Sequence, residues 1–141
     1  IPVSGRHAVI VGRSNIVGKP MFALLCQKLE MGNATVTICH TGTKDLRKFT
    51  LDADILIVAI GSPHIIDSTM IKQDACIIDV GINRINNNES EKGYSIVGDV
   101  NFQDVIDKAG FITPVPGGIG PLTISMLLYN TIQASKRYYL K

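Results

Sequence analysis

Apolar positions fall into short unbroken runs separated by amphipathic or polar stretches, and the runs hold many of the β-branched residues. Residues 7–12 run apolar into Gly12, and residues 35–40 alternate Thr with Val and Ile. Residues 54–61 are almost wholly aliphatic up to the Gly61-Ser62-Pro63 turn, and residues 75–80 lead into Gly81. Apolar runs of this length suit strands buried on both faces. Between them, residues 19–31, 45–51, 68–72 and 102–109 predict helices or single helical turns. Pro20 sits in the first turn of its helix, where its missing N–H is harmless, and Gly32 is the expected C-cap. The polar stretch 86–93 predicts a loop at the tip of a hairpin between 82–84 and 95–97. Residues 111–113 predict a short strand, and 121–138 a long final helix.

Repeated β-loop-α units need crossovers. The predicted fold class is therefore α/β: a Rossmann-like, doubly wound, mainly parallel sheet with helices on both faces, in one domain over residues 1–141. Ligands of such sheets bind at the carboxyl ends of the strands, beside the topological switch point.

Composition narrows the classes. With 45% hydrophobic and 18% charged residues, the chain has ample apolar surface to offset chain entropy, which excludes intrinsic disorder. No apolar run approaches the ~20 residues needed to cross a bilayer. The net charge is +2, with seven Lys/Arg against five Asp/Glu in residues 1–70 and seven of each in 71–141, so no basic footprint for nucleic acid exists. The three cysteines, Cys26, Cys39 and Cys76, are scattered and form no CxxC. They read as buried thiols of a reducing compartment. The dispersed His7, His40 and His64 give no metal-ligand cluster.

Candidate chemistry sits at the predicted strand ends. The turn from Gly12 to Gly18 opens a helix, where backbone N–H groups and the helix dipole can receive a phosphate. It is neither a Walker A loop, since Arg13 and Pro20 stand at required Gly and Ser/Thr positions, nor a strict G-x-G-x-x-G, since Ser14 replaces the second glycine. The second strand closes on Cys39-His40-Thr41-Gly42-Thr43-Lys44 without an acid before Asp45. NAD sites usually place a carboxylate there, whereas Arg13 on the facing loop offers a bidentate phosphate partner and Thr41 and Thr43 offer hydroxyls, so this end leans towards NADP. Gly81 and Ile82 suit a flat ring, while Asp79 and Asp99, each beside a glycine, are expected to cap turns. Three glycines and three prolines between Pro114 and Pro121 form a stiff platform running into a helix.

The motifs Gly12-Arg13-Ser14-Asn15-Ile16-Val17-Gly18-Lys19-Pro20, Asp79-Val80-Gly81-Ile82-Asn83, Val97-Gly98-Asp99-Val100 and Pro114-Val115-Pro116-Gly117-Gly118-Ile119-Gly120-Pro121-Leu122-Thr123 together resemble the methylenetetrahydrofolate dehydrogenase/methenyltetrahydrofolate cyclohydrolase family. They do so in order and over essentially the whole chain. The resemblance is to the family's C-terminal, cofactor-binding half. Its N-terminal folate domain, with a catalytic lysine and a stacking tyrosine, has no corresponding segment here. No catalytic residue is therefore expected in this chain, and the isolated chain is expected to be inactive.

The resemblance implies NADP as cofactor, NAD being used by some relatives, and no metal. It implies cofactor contacts from Gly12, Arg13, Ser14, Ile16, Val17, Gly18, His40, Thr41, Gly81, Ile82 and Thr123, with Thr41 by the 2′-phosphate and Ile82 by the nicotinamide. Substrate contacts are implied for Pro116, Gly117, Gly118, Ile119, Gly120, Pro121, Leu122, Thr123 and Ile124. The implied reactions are oxidation of the folate's methylene bridge by hydride transfer, then hydrolysis of the methenyl cation. Implied partners are a tetrahydrofolate-type substrate and a second copy in a homodimer, with neither nucleic acid nor membrane. The expected compartment is the cytoplasm or an organelle matrix. Two alternatives stand beside this reading: a non-catalytic nucleotide-binding module, and a Rossmann oxidoreductase of another substrate class.

Overall fold

The computed structural model describes residues 1–139. In chain order the elements are β1 (His7–Val11), α1 (Gly18–Leu25), β2 (Thr35–Cys39), α2 (Leu46–Thr50), β3 (Ile55–Val58), a 3-10 turn (Ser68–Met70) and β4 (Cys76–Asp79). The hairpin strands β5 (Asn83–Asn86) and β6 (Tyr94–Val97) follow, then α3 (Phe102–Val105), β7 (Phe111–Ile112) and α4 (Ile119–Tyr139). Five strands form one parallel sheet in the order β2-β1-β3-β4-β7, while β5 and β6 pair with each other, antiparallel. The chain lays β2 on one side of β1 and β3 on the other, so the switch point lies between β1 and β3.

Alternation along the central strands divides the core into two layers. Val9, Val11, Leu56, Val58 and Ile77 point to one face, covered by Leu46 of α2, Met70 of the 3-10 turn and Val105 of α3. Ala8, Ile10, Ile55 and Ile57 point to the other, covered by Met21 and Leu25 of α1. The sheet is thus doubly wound, with helices on both faces, as the period of the apolar runs predicts. No α4 side chain is buried among the described residues.

Several boundaries differ from the sequence expectation. Helix α1 ends at Leu25 instead of residue 31 because the chain folds back across its end. The Ala34 N–H takes the Leu25 carbonyl at 3.0 Å, and Asn33, left-handed at φ 63°, donates to the Gln27 carbonyl at 2.6 Å. Gly32 is therefore not the left-handed cap. Its missing Cβ would lie 2.6 Å from the Gln27 oxygen, so the glycine lets the returning backbone cross the helix end. Helix α3 stops at Val105, four residues early, and β3 stops at Val58, three before Gly61. Helix α4 begins at Ile119, so Pro121 is its third residue and part of the expected platform is its first turn. Cys39 is buried and Cys76 partly so, but Cys26, which follows α1, is exposed, contrary to the expectation of three buried thiols.

Candidate functional site

At the end of β1, Val11 lies between Cys39 and Val58, and the chain turns at Gly12 with φ +126°. A Cβ there would collide with the Ala59 carbonyl, and a Cβ at Gly18 would collide with the carbonyl of Gly12. Packing within the turn thus demands both glycines before any ligand is considered. Ser14 Oγ accepts the N–H groups of Val17 (3.0 Å) and Gly18 (3.3 Å), taking two of the donors a helix start leaves over. The N–H groups of Arg13, Ser14, Asn15 and Ile16 meet no acceptor among the described residues. Arg13 and Ile16 are exposed and Val17 is half-buried. The Arg13 guanidinium has no carboxylate within 4.0 Å among the described residues, which leaves this corner with a free cation and free backbone donors.

The adjoining turn after β2 closes on itself. The His40 N–H donates to Thr43 Oγ1 (2.9 Å), and the Gly42 N–H donates to His40 Nδ1 (3.0 Å), which leaves Nε2 as the ring's donor. Thr41 is exposed. The first acid, Asp45, is exposed and pairs with Lys48 at 3.7 Å. The turn over residues 40–44 therefore presents hydroxyls and an imidazole, with no carboxylate. Burial pushes the Cys39 thiol up, against a Thr43 hydrogen bond, so it stays protonated and inert.

Two buried aspartates organise the ends of β3, β4 and β6. Asp79, 3% exposed, accepts the N–H groups of Gly81 (2.9 Å) and Asp99 (3.1 Å) on Oδ1 and that of Val100 (2.9 Å) on Oδ2. Burial pushes its carboxyl above the usual range against the pull of those bonds, and the charge of Asp99 adds to the rise. Asp99, wholly buried, accepts Ile60 (2.7 Å) and Gly61 (3.0 Å) on Oδ2, and Ser62 (2.9 Å) and Asn83 Nδ2 (2.9 Å) on Oδ1. Asp79 caps its own turn through Gly81 and also holds backbone 20 and 21 residues away, whereas the Asp99 carboxylate holds the turn at residues 60–62, 37 to 39 residues away, and not the turn it stands in, contrary to the expectation for it.

Beside them lies a cavity of about 340 Å3, lined by residues 79–82, Ile96, residues 114–121 and Thr123. Ile82 is 68% exposed at its edge. The Val115–Pro116 peptide is cis and Gly117 has φ +105°. A Cβ at Gly118 would collide with the Pro114 carbonyl of the same loop, whereas Gly117 and Gly120 face open space. The cavity therefore unites Gly81, Ile82, Pro116, Gly117, Gly118, Ile119, Gly120, Pro121 and Thr123 of the expected residues. Leu122 and Ile124 do not line it and both are exposed; Leu122 instead lines a neighbouring hollow along α4 with Ile119, Thr123 and Met126. Sequence reasoning missed Val80, Ile96, Pro114 and Val115 as lining residues. Ile96 belongs to an expected hairpin, but nothing local shows that the hairpin returns against the 114–121 loop.

Gly81 also has a different reason from the one expected. Its N–H is held by Asp79, and a Cβ would strike the Asp99 carboxyl, so its bareness serves the protein's own packing as well as the cavity. Among the described residues Asp79 is the only titratable side chain lining the cavity, and both its oxygens already accept backbone donors. No cluster of three or more metal-ligating side chains occurs among the described residues. No helix among them is long and apolar enough to cross a membrane.

Comparison with known proteins agrees with this geometry. Residues 1–139 match the model of the tetrahydrofolate dehydrogenase/cyclohydrolase NAD(P)-binding domain. The chain is 58% identical over 132 residues to the bifunctional protein FolD of Protochlamydia amoebophila, a match covering 94% of the chain and 45% of that protein. Among solved structures, it resembles the FolD methylenetetrahydrofolate dehydrogenase/cyclohydrolase of Campylobacter jejuni (48% identity, TM-score 0.85), covering 98% of this chain and 45% of that one. It also resembles the Trypanosoma brucei enzyme complexed with NADP and an inhibitor (38% identity, TM-score 0.88), covering 98% of this chain and 46% of that one. The chain spans about half the length of the relatives it matches.

Proposed function

The chain belongs to the tetrahydrofolate dehydrogenase/cyclohydrolase family, and on that premise we propose that it is the NADP-holding part of a bifunctional enzyme of one-carbon metabolism. That enzyme transfers a hydride from 5,10-methylenetetrahydrofolate to NADP and hydrolyses the resulting 5,10-methenyl cation. The observation that carries the cofactor reading is the exposed Arg13, with no carboxylate partner among the described residues, beside a β2 turn with no carboxylate, at the switch point of the sheet. The free N–H groups of residues 13–16 and the positive end of α1 suit the pyrophosphate. Arg13, with the Thr41 hydroxyl, suits the 2′-phosphate that distinguishes NADP from NAD. His40 and Thr41 stand at the adenosine end.

When bound, the nicotinamide supplies the hydride acceptor. This chain's own residues bind and orient it: Gly81 and Ile82 offer a flat apolar wall, and the platform from Pro116 to Thr123 faces the folate across the cavity. The three free cysteines favour a reducing compartment, the cytoplasm or an organelle matrix. Self-association as a homodimer is supported by the exposed apolar side chains of Leu127, Leu128 and Ile132 on α4, and sedimentation velocity tests it, a monomer rejecting it. Calorimetric titration of the chain with NADP and NAD tests the cofactor reading. NADP is expected to bind more tightly. Equal affinities reject the phosphate-selective role of this corner, and no binding of either rejects the function.

A further inference from the structure

We infer that Asp79 and Asp99 are positioning residues, an interlocked pair that sets the Gly81–Ile82 wall and the 60–62 loop in one register against the ring end of the dinucleotide. The inference rests on the proposed function for the ligand, and on the following geometry for the pair.

The two carboxylates act in series and cross. Asp79 Oδ1 joins the N–H of Gly81, at the cavity, to the N–H of Asp99, and its Oδ2 adds that of Val100. The Asp99 carboxylate continues to three consecutive N–H groups, Ile60, Gly61 and Ser62, in the loop that leaves β3 at the switch point. A Cβ at Gly81 would strike the Asp99 carboxyl, and one at Gly98 would strike that of Asp79, so each aspartate seats against the glycine beside the other. The fold could satisfy these turn donors with water at an exposed loop, yet it buries two carboxyl groups close together to do so. Such burial costs stability and persists where it specifies a geometry. Neither carboxylate is free to contact a ligand, so the pair acts through the backbone it holds.

An asparagine at position 99 keeps the size but has one acceptor oxygen for the four donors Asp99 serves, and its amide N–H groups face donors. The loop must shift to relieve them. The shift should reach the ring end of the site and leave the turns after β1 and β2 in place. The test compares two probes on the 141-residue chain: NADP, which spans both ends, and adenosine 2′,5′-bisphosphate, which reads only the β1 and β2 corner. For Asp99→Asn, NADP affinity should fall about tenfold while affinity for the bisphosphate stays within about twofold.

Equal losses for both probes mark the pair as merely structural and overturn the inference, as does no loss for either. Should Asp99→Asn fail to fold, Asn83→Ala removes a single neutral donor from the Asp99 carboxylate. The same split at about threefold is then expected, and its absence overturns the inference. Failure of the unsubstituted chain to bind the bisphosphate would reject the proposed function itself, a separate outcome.

Discussion

The Ser14 hydroxyl oxygen lies 3.0 Å from the Val17 nitrogen and takes its N–H, three residues ahead, while also taking that of Gly18. Val17, the N-cap residue of α1, has no side chain able to do this, so Ser14 performs the capping from inside the glycine turn. The oxygen accepts and the hydroxyl proton remains free to donate, which lets one side chain stiffen the helix start and still face an anion. Ser14→Ala should destabilise the chain by about 1 kcal/mol and weaken NADP binding as well. Urea denaturation with unchanged stability would show that the cap is dispensable.

Arg13 is exposed and has no carboxylate partner among the described residues, so its removal should be felt by the ligand and not by the fold. Arg13→Ala should weaken NADP by roughly 1.5–3 kcal/mol, the worth of one charge-assisted phosphate contact. NAD affinity should change little. Parallel calorimetric titrations decide it: equal losses for the two nucleotides would reject the 2′-phosphate role.

What could be read from the chain follows from how local each signal is. The parallel strands were legible because Ile10, Leu56 and Ile77 lie in apolar runs buried on both faces. The turns at Gly12 and Gly81 were legible as glycines, but the demand behind them was not. It comes from Ala59 in one case and Asp99 in the other, neighbours in space far away in sequence. The early end of α1 depends on Ala34 and Asn33 folding back, which helical periodicity up to Met31 cannot report. Leu122 and Ile124 were drawn into the site by a contiguous motif. Once the helix starts at Ile119, the motif winds around the axis, and Leu122 and Ile124 project away from the cavity that Ile119, Gly120, Pro121 and Thr123 line.

The glycines of the platform are not equivalent probes. Valine at Gly118 would collide with the Pro114 carbonyl and distort the loop itself, and a side chain at Gly117 would be strained at φ +105°. Gly120 has neither constraint, since a Cβ there meets nothing within 4 Å and its φ is not positive. Gly120→Ala, in the first turn of α4, should leave the melting temperature unchanged or slightly raised. Any loss of folate or nucleotide binding in this variant then measures ligand approach. Binding indistinguishable from that of the unsubstituted chain would show that no ligand comes close to this face.

Acid stability turns on Asp54, which accepts Lys72 Nζ at 2.6 Å and the His7 N–H at 3.0 Å and ties the starts of β1 and β3 to the loop before β4. The Lys72 hydrogen bond, then that of His7, holds its carboxyl below the ordinary value of 3.8. A value lowered on folding contributes stability above the unfolded value, and that contribution is lost as pH falls through the folded one. Asp54→Asn should therefore cost about 1 kcal/mol at neutral pH, and the gap in melting temperature should close as pH drops below 3.8. Asp79 runs the other way. Its value is raised, so its contribution is full below 3.8 and is lost as pH rises through the folded value. A gap for Asp54→Asn that stayed constant into acid would place the effect in packing instead of charge.

The chain by itself should bind NADP and turn nothing over. Both proposed reactions need proton transfer or close positioning on the folate, and proton transfer needs a group within hydrogen-bond reach of the reacting centre. Among the described residues the only titratable side chain lining the cavity is Asp79, and its oxygens are committed to the N–H groups of Gly81, Asp99 and Val100. Asp99 is wholly buried, and His40 stands in the turn after β2, where its Nδ1 accepts from Gly42. Hydride transfer could in principle proceed on the nicotinamide's chemistry alone. A folate held only by the proline-glycine platform, however, would lack the two-sided positioning that makes such a step fast. Calorimetry should thus record NADP binding, while 5,10-methylenetetrahydrofolate added with NADP should give no rise in absorbance from reduced nicotinamide. Turnover by the pure 141-residue chain would require a base that this cavity does not offer in the arrangement seen. It would point to release of Asp79 from its backbone donors as a step of the reaction.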